Sequence, residues 1–259
     1  MGDLRLTYED GTIRVDGLSE PPAGAPDSLT FDARSETHRL PAADYAALLD
    51  TLGDTVTDDV FDLPELSVAS SYELREYQSD ALDAWMDAGR QGILELPTGS
   101  GKTVIGIAAI EALDMPTLVV VPTVDLLDQW VEELDREFDC PIGRLGGGTQ
   151  RLESITVSTY DSASLRAEEL GDQFGLVIFD EVHHLGGEGY RDIARLLAAP
   201  ARLGLTATFE RPDGAHEAVA QVVGGVVFAL DPEDLAGEYL AAYDIKRIEG
   251  ALTPDERHS

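Results

Sequence analysis

Cysteine, long apolar runs and signal sequences are scarce or missing in this 259-residue sequence. Its one cysteine, Cys140, excludes a disulfide framework and a cysteine-based metal site. No apolar run approaches the ~18 residues that a membrane-spanning helix needs, and the N-terminus lacks a charged segment followed by an apolar one. We therefore expect a soluble, cytoplasmic protein that has no membrane partner.

Basic residues, and lysine above all, are also rare. The chain has 18 basic and 50 acidic residues, for a formal net charge of −32, and only Lys102 and Lys246 are lysines. The acidic residues are spread over every segment, so in dilute buffer the chain repels itself and DNA. At molar salt the screening length falls to about 3 Å. This pattern indicates a salt-rich cytosol, and the alternative is an acidic protein that binds basic partners.

The first 67 residues have the pattern of a small α+β domain. Apolar residues alternate on both sides of Asp10 and Gly11, which predicts a hairpin. Another strand is predicted over residues 31–40, and Pro41 opens a short helix that ends at Gly53. Residues 58–63 resemble an edge strand. The junction to the next domain is expected within residues 66–71.

Residues 68–259 alternate regularly between helical and apolar extended segments. Strands this apolar are covered on both faces, which predicts a parallel, doubly wound α/β sheet. The triplet Gly146-Gly-Gly148 is interpreted as a flexible loop. The predicted strands are 92–96, 117–121, 155–159, 176–179 and 202–205, and the predicted helices are 74–88, 103–113, 124–138, 161–170 and 188–198.

A glycine-containing loop between the first of these strands and the next helix predicts a phosphate site. Its residues are Pro97, Thr98, Gly99, Ser100, Gly101, Lys102 and Thr103. Glycines let backbone N–H groups turn toward phosphates, while the lysine supplies positive charge and Thr103 a hydroxyl for Mg²⁺. Leu96 occupies the position of the usual first glycine. A chance glycine turn is the alternative, and retention of a lysine here in a lysine-poor chain argues against it.

Two carboxylates follow a buried strand at residues 176–179. In such sheets the carboxyl ends of the strands face the ligand crevice. Asp180 is predicted to hold Mg²⁺ through its waters, and Glu181 to orient the water that attacks the γ-phosphate. The alternative is an acid pair that caps a helix. Arg75 and Gln78, with Tyr77, are candidates for reading adenine, and the alternative is an exposed helix face.

Hydroxyl groups close several other predicted strands. Thr206 and Thr208 could link the nucleotide to a moving part, or form an ordinary strand-end turn. His183 is predicted to lie near the γ-phosphate, whereas His184 is interpreted as a polar residue at a helix start. The candidates for contact with a nucleic-acid backbone are Pro122, Thr123, Thr159 and Tyr160.

In order, these segments resemble superfamily 2 helicases, and within them the archaeal XPB family. The motifs are Leu74-Arg-Glu-Tyr-Gln78, Pro97–Thr103, Val121-Pro-Thr123, Asp180-Glu-Val-His183 and Leu205-Thr-Ala-Thr208. The XPB likeness rests on Phe179-Asp-Glu-Val-His-His-Leu185 and Leu203-Gly-Leu-Thr-Ala-Thr-Phe-Glu-Arg211. More weakly, Phe31-Asp-Ala-Arg34, Arg39-Leu-Pro41 and Tyr45 resemble the family's damage-recognition domain.

The resemblance implies a RecA-like fold and an ATP- and Mg²⁺-dependent DNA translocase of 3′–5′ polarity, acting in excision repair or transcription. Lys102, Thr103, Asp180 and Glu181 would then be the ATPase residues. The family's Arg-Glu-Asp strand-separation element corresponds to Arg211, Pro212 and Asp213 here. Because proline replaces its middle glutamate, strand separation by this element is in question. Arg211 and Asp213 remain candidate DNA contacts.

The resemblance also implies a second RecA-like lobe, which would carry the arginine finger. We do not find the pattern of this second lobe within residues 1–259. On this interpretation the chain is half a motor: an excised piece, a truncated product or a split subunit. A repair nuclease is a further partner to consider. The competing hypotheses are the ATPase lobe of another superfamily 2 translocase and a module that binds ATP and DNA without cycling.

Overall fold

The computed structural model describes residues 4–53, 56–187, 189–209 and 215–235. These residues form a five-stranded sheet followed by an eight-stranded sheet. The strands are β1 Leu4–Glu9, β2 Thr12–Asp16, β3 Thr30–Asp32, β4 Thr37–Pro41, β5 Val56–Asp59, β6 Gln91–Glu95, β7 Thr117–Val121, β8 Ile142–Gly146, β9 Thr149–Arg151, β10 Ile155–Thr159, β11 Leu176–Asp180, β12 Ala201–Thr206 and β13 Val226–Ala229. The α-helices are α1 Tyr45–Leu52, α2 Glu76–Asp87, α3 Lys102–Leu113, α4 Val124–Glu137, α5 Tyr160–Leu165, α6 Arg191–Leu196, α7 Ala215–Val223 and α8 Pro232–Leu235.

The N-terminal sheet has the order β3-β4-β2-β1-β5 and packs α1 against its apolar face. The predicted β1–β2 hairpin is confirmed, with Asp10 at φ 48° and Gly11 at φ 78° in the turn. The predicted single strand over 31–40 is wrong, because the chain turns between β3 and β4 with Glu36 at φ 56°. The predicted edge strand exists, but it is β5, which pairs parallel to β1 and ends before residue 60.

The second sheet has the order β13-β6-β12-β11-β7-β10-β8-β9 and is parallel except for the β8–β9 pair. One apolar cluster packs α2, α3 and α4 on one face, and another packs α5, α6 and α7 on the other. The predicted doubly wound parallel sheet is therefore confirmed. Gly147 and Gly148 form the tight turn between β8 and β9, both with positive φ, so the predicted flexible loop is wrong.

The two sheets contact each other where strands β11 and β12 begin. The Tyr8 hydroxyl donates to the carbonyl oxygens of Glu168 and Leu196, at 3.1 and 3.0 Å. A Cβ at Gly171 would lie 1.7 Å from the Tyr8 hydroxyl oxygen, so only glycine allows this approach. Ala198, which precedes β12, is buried in the N-terminal apolar core. Because this contact lies where β11 and β12 begin, it does not cover the carboxyl ends of these strands.

Candidate nucleotide site

The predicted phosphate loop connects β6 to α3, as the sequence pattern requires. Gly99 and Gly101 have φ of 83° and 82°, a left-handed conformation that glycine adopts without strain. A Cβ at Gly101 would also lie 2.5 Å from Nε2 of Gln78. Both glycines are therefore required by local geometry. Lys102 follows as the first residue of α3, so the loop meets the positive end of a helix.

Helix α2 holds this loop from behind. The carbonyl oxygen of Ser100 accepts hydrogen bonds from the Tyr77 hydroxyl at 2.6 Å and from Nε2 of Gln78 at 2.9 Å. Oε1 of Gln78 accepts from the backbone N–H of Arg75 at 3.0 Å, and Gln78 is only 4% exposed. An exposed helix face is thus the wrong interpretation of Tyr77 and Gln78. Their contact with adenine, like that of the exposed Arg75, stays a prediction.

Lys102 is folded back onto its own loop. Its Nζ donates to the carbonyl oxygens of Leu96, at 3.1 Å, and Pro97, at 3.4 Å. Burial lowers the pKa of Lys102, while the charges of Glu181 and Asp180 act in the opposite direction. The phosphate loop and the two carboxylates therefore belong to one electrostatic site, as the spacing of the motifs predicts.

Asp180 ends β11 and is 7% exposed. Oδ2 accepts from the indole N–H of Trp130 at 2.8 Å, and Oδ1 accepts from the backbone N–H of Glu181 at 3.0 Å. Burial raises the pKa of this carboxyl, and the Trp130 hydrogen bond opposes that rise. The backbone oxygen of Asp180 accepts from the Tyr160 hydroxyl at 3.1 Å. Both the side chain and the backbone of Asp180 are therefore held in place.

Glu181 connects to the end of the neighbouring strand. Its backbone is left-handed, at φ 50°, which is unusual for a residue other than glycine. Its Oε2 lies 3.4 Å from Nδ1 of His183 and 3.5 Å from the Thr206 hydroxyl oxygen, and those two groups are 3.2 Å apart. The Thr206 hydroxyl also donates to the Thr208 carbonyl oxygen at 2.9 Å. The predicted coupling residues form one contiguous network with Glu181.

His184 lies beside this network in an aromatic stack. Its ring centroid is 4.6 Å from that of His183 and 5.8 Å from that of Tyr160.

The predicted DNA contacts differ in accessibility. Thr123 is exposed and caps α4, and Pro122 beside it is half-buried. Thr159 is 7% exposed and caps α5. Tyr160 is 2% exposed and its hydroxyl is bonded to Asp180, so its side chain does not reach the surface where DNA would lie. The predicted contacts Arg211 and Asp213 lie outside the described residues, as does Pro212.

The residues present fit a Mg²⁺ ion bound together with phosphates. Asp180 is a buried carboxylate, and among the described residues its two oxygens accept from neutral N–H donors rather than from a cation. Thr103 stands half-buried in the first turn of α3. Within the described ranges no group of three or more His, Cys, Asp or Glu side chains could hold a metal. The Asp180 carboxylate and the Thr103 hydroxyl together suit Mg²⁺, which proteins commonly bind through one or two side chains plus phosphates and water.

Sequence reasoning missed two participants in the site. Trp130 bonds Asp180, and Glu95 accepts the backbone N–H of Phe209 at 3.2 Å. The hydroxyl of Ser100, a residue of the predicted phosphate loop, is buried and has no hydrogen-bond partner among the described residues. A signal for Trp130 exists in the helix pattern, because a buried indole N–H has to find an acceptor. Nothing in the sequence singled out Glu95.

Comparison with known proteins places these motifs in a family. The model described as "Type III restriction enzyme, res subunit" matches residues 71–211, more than half of the chain. The model described as "Xeroderma pigmentosum group B helicase damage recognition domain" matches residues 6–58, in the N-terminal sheet. The chain is 49% identical, over 78% of its length, to DNA 3′-5′ translocase XPB2 of Sulfurisphaera tokodaii. The chain belongs to the XPB family of superfamily 2 helicases. The second family model is the one whose description names XPB, in agreement with the name of this relative.

Other comparisons agree with this assignment. The XPB-family chain is 36% identical, over 84% of its length, to the putative DNA 3′-5′ helicase Rad25 of Halobacterium salinarum. It spans 46% of the Sulfurisphaera protein and 39% of the Halobacterium protein. The chain thus covers less than half the length of these curated relatives.

Solved structures support the fold alone. The UvsW helicase of bacteriophage T4 superposes with a TM-score of 0.52 at 20% identity, over 87% of this XPB-family chain and 99% of that chain. The Hef helicase domain of Pyrococcus furiosus gives a TM-score of 0.51 at 24% identity, over 60% of this chain and 37% of that chain. The predicted RecA-like fold is confirmed. None of the helices described here has the length and apolar character needed to cross a bilayer.

Proposed function

We propose that this chain is the ATP-binding part of an XPB-like DNA translocase that acts in duplex opening during excision repair or transcription. Residues 1–67 would form the damage-recognition domain and residues 68–259 the first motor lobe. The observation that carries the proposal is that Lys102, which follows β6 at the start of α3, is acted on by the charges of Asp180 and Glu181 at the carboxyl end of β11. This arrangement is the one that phosphoryl transfer from a bound nucleotide needs.

In this role each residue of the crevice has a definite task. Backbone N–H groups of Thr98–Thr103 and the Lys102 ammonium would bind the phosphates. Thr103 and Asp180 would hold Mg²⁺, which when bound neutralises charge that develops on the transferred phosphoryl group. Glu181 would orient the attacking water. Lys102 now bonds two backbone carbonyls, and a phosphate offers it a stronger, charge-assisted acceptor.

The binding test is calorimetry of ATP and ADP with Mg²⁺ in molar KCl. We expect binding to the unmodified chain and its loss in Lys102→Ala, because no other described lysine can replace that charge. Arg75→Ala and Gln78→Ala test the adenine assignment separately. In these variants the affinity for ATP should fall relative to the affinity for a purine-free triphosphate such as tripolyphosphate. Equal ATP affinity for Lys102→Ala and the unmodified chain would show that the site is misassigned.

Turnover separates a motor from a binding module. We propose that a second RecA-like lobe, in cis or in trans, completes the site, because the relatives are more than twice as long as the matched segment. Phosphate release by residues 1–259 should then be near background and unaffected by DNA. Adding the second lobe should raise it by about 10³ or more, the scale of an arginine finger.

One variant controls this experiment. Glu181→Gln should cancel the rise while ATP binding persists. Brisk DNA-stimulated turnover by residues 1–259 alone would contradict the need for a second lobe. Absence of turnover after the lobe is supplied would favour the non-cycling module.

We propose DNA as the partner, at the exposed strand ends near Thr123. The overall charge of −32 leaves little counterion release, so binding by this chain alone should be weak. The test is fluorescence anisotropy with labelled single-stranded DNA in molar KCl. Submicromolar affinity would contradict the prediction and would point to the N-terminal sheet as an independent DNA reader. A repair nuclease would be a further partner, testable by co-purification with and without damaged DNA.

We also propose that the protein works in a salt-rich cytosol. Spread acidity destabilises the folded state by self-repulsion, and molar salt screens it. The thermal midpoint should rise with KCl concentration. A midpoint that is flat or falls with KCl would remove this part of the proposal.

A further inference from the structure

The chain has two tryptophans, and both are buried with one indole hydrogen bond each. Trp85 in α2 donates to the backbone carbonyl of Arg202 at 2.9 Å. Trp130 in α4 donates to the side chain of Asp180 at 2.8 Å. The first bond ends on the polypeptide backbone, whereas the second ends on the carboxylate to which the proposed function assigns Mg²⁺. Loss of the Trp130 indole should therefore affect the proposed Mg²⁺ site, whereas loss of the Trp85 indole should not.

The bond from Trp130 restricts the orientation of the Asp180 carboxylate. With Oδ2 bonded to the indole and Oδ1 to the Glu181 backbone N–H, the plane of the carboxylate is fixed from two sides. The remaining lone pairs of both oxygens then have set directions. Asp180 is 7% exposed, so bulk water cannot easily supply the bond that the indole makes.

Helix α3 is shaped to let the indole reach Asp180. A Cβ at Gly106 would lie 2.6 Å from Cη2 of Trp130, so a larger residue would displace the ring. Glycine inside a helix costs about 1 kcal/mol relative to alanine. Glycine at position 106 therefore gives the indole the room that it occupies beside Asp180.

We propose that Trp130 is a positioning residue for the metal, holding Asp180 in the orientation that receives Mg²⁺ with the nucleotide. This inference rests on the proposed function of the same site. Removing a group that hydrogen-bonds and orients a metal ligand typically changes metal affinity about 10- to 100-fold. Trp130→Phe keeps an aromatic ring in the core and deletes the N–H donor.

The experiment measures ADP binding as a function of free Mg²⁺, in molar KCl, for the unmodified chain, Trp130→Phe and Trp85→Phe. We expect Trp130→Phe to raise the Mg²⁺ concentration at half-effect by about tenfold or more. ADP affinity in excess chelator should stay within about twofold, because Asp180 then has no metal to hold. Trp85→Phe is the matched control, since it also loses one buried indole hydrogen bond, and its Mg²⁺ dependence should equal that of the unmodified chain.

A second measurement uses the unmodified chain, so it stands even if Trp130→Phe does not fold. The nitrogen–proton NMR spectrum should show two indole signals, which the single variant Trp85→Phe assigns. Adding Mg²⁺ to the ADP complex should move the Trp130 signal and leave that of Trp85 in place. A stationary Trp130 signal, or an unchanged Mg²⁺ dependence in Trp130→Phe, overturns the inference. If the unmodified chain itself shows no Mg²⁺-dependent ADP binding, the proposed function fails first, and the inference fails with it.

Discussion

The two edges of the eight-stranded sheet treat polar groups in opposite ways. Where the strands begin, Arg202 is 2% exposed, and its guanidinium donates four hydrogen bonds to backbone carbonyl oxygens. Burial lowers its pKa to about 10. The carbonyl oxygens that accept its N–H groups, at 2.6–3.1 Å, belong to Ala194, Leu197, Ala199 and Val222.

Where the strands end, polar groups are left strained or incompletely paired. Glu181 has a left-handed backbone, and the Ser100 hydroxyl is buried without a partner among the described residues. Burial raises the pKa of Asp180 and lowers that of Lys102, because it makes the charged form of each side chain less favourable. A bound Mg²⁺–nucleotide would relieve these costs. The hydrogen bonds at one edge therefore stabilise the fold, and in the proposed function the groups at the other edge would bind a ligand.

The largest effect on this comparison should come from Arg202→Met. It leaves four carbonyl oxygens without these donors, three of them in buried hydrogen bonds, so we expect a loss of about 3 kcal/mol or more in the free energy of unfolding. Urea unfolding in molar KCl measures it. The control is Arg195→Met, because Arg195 is 62% exposed and 3.8 Å from Asp192, and its removal should cost under about 0.5 kcal/mol. Similar losses for both variants would contradict the stabilising role of Arg202.

Lys102→Ala should show the reverse pattern. It removes a partly desolvated charge whose present acceptors are only loop carbonyls, so the free energy of unfolding should change by less than about 1 kcal/mol. Nucleotide affinity should fall by about a hundredfold or more, which is roughly 2.7 kcal/mol. A large loss of stability in urea unfolding of the nucleotide-free variant would mean that this edge also holds the fold together.

Tyr8→Phe tests the contact between the two sheets at the stabilising edge. The hydroxyl bonds two backbone carbonyls, and burial raises the pKa of Tyr8 to about 12. We expect a loss of about 1 kcal/mol and an unchanged affinity for Mg²⁺–ADP. Tyr190→Phe is the control, because its hydroxyl bonds the exposed Asp161. If Tyr8→Phe weakens nucleotide binding, the two edges are not independent.

The smallest effect is expected from glycine at position 181. Glu181→Gly relieves a left-handed backbone, and we expect a gain of at most about 0.5–1 kcal/mol after the extra freedom of the unfolded chain is included. Glu36→Gly, at φ 56° in the N-terminal sheet, should gain a similar amount. Only Glu181→Gly should abolish ATP turnover once a second lobe is supplied. A loss of stability specific to Glu181→Gly, seen by urea unfolding, would show that its side-chain network outweighs its backbone strain.

Sequence patterns predicted the sheet because its strands are continuous apolar runs with glycine or proline near their ends. The phosphate loop, Asp180 and Glu181 were predictable for the same reason, since strand ends in a parallel sheet meet at one edge. The split of residues 31–40 into two strands was not predictable, because the turn depends on a left-handed Glu36 rather than on glycine. Strands β8 and β9 were missed since Gly143, Gly146, Gly147 and Gly148 weaken their apolar pattern.

The roles of Trp130 and Arg202 depend on tertiary neighbours that no local pattern carries. Trp130 lies on an amphipathic helix, where an apolar core position is the ordinary interpretation. Arg202 precedes four apolar or small residues in β12. The four carbonyl oxygens that accept its hydrogen bonds belong to residues 194–199 and to α7, and they surround the guanidinium only when these segments pack together. Sequence reasoning therefore located the reacting groups better than the groups that hold them.

The position of β6 has a consequence for synthesis of the chain. The strand that carries the phosphate loop lies between β12 and β13, so Gly92 pairs with Leu203, and Ile93 pairs with Val226. The other strands of the eight-stranded sheet follow β6 in sequence, so the ribosome synthesises them later. Pairing over such distances in the chain is slow, because loop closure precedes the contacts that reward it. The nascent loop between β6 and α3 thus remains without its neighbouring strands until almost the whole described chain has emerged, and in the proposed function the nucleotide site would be complete only after that.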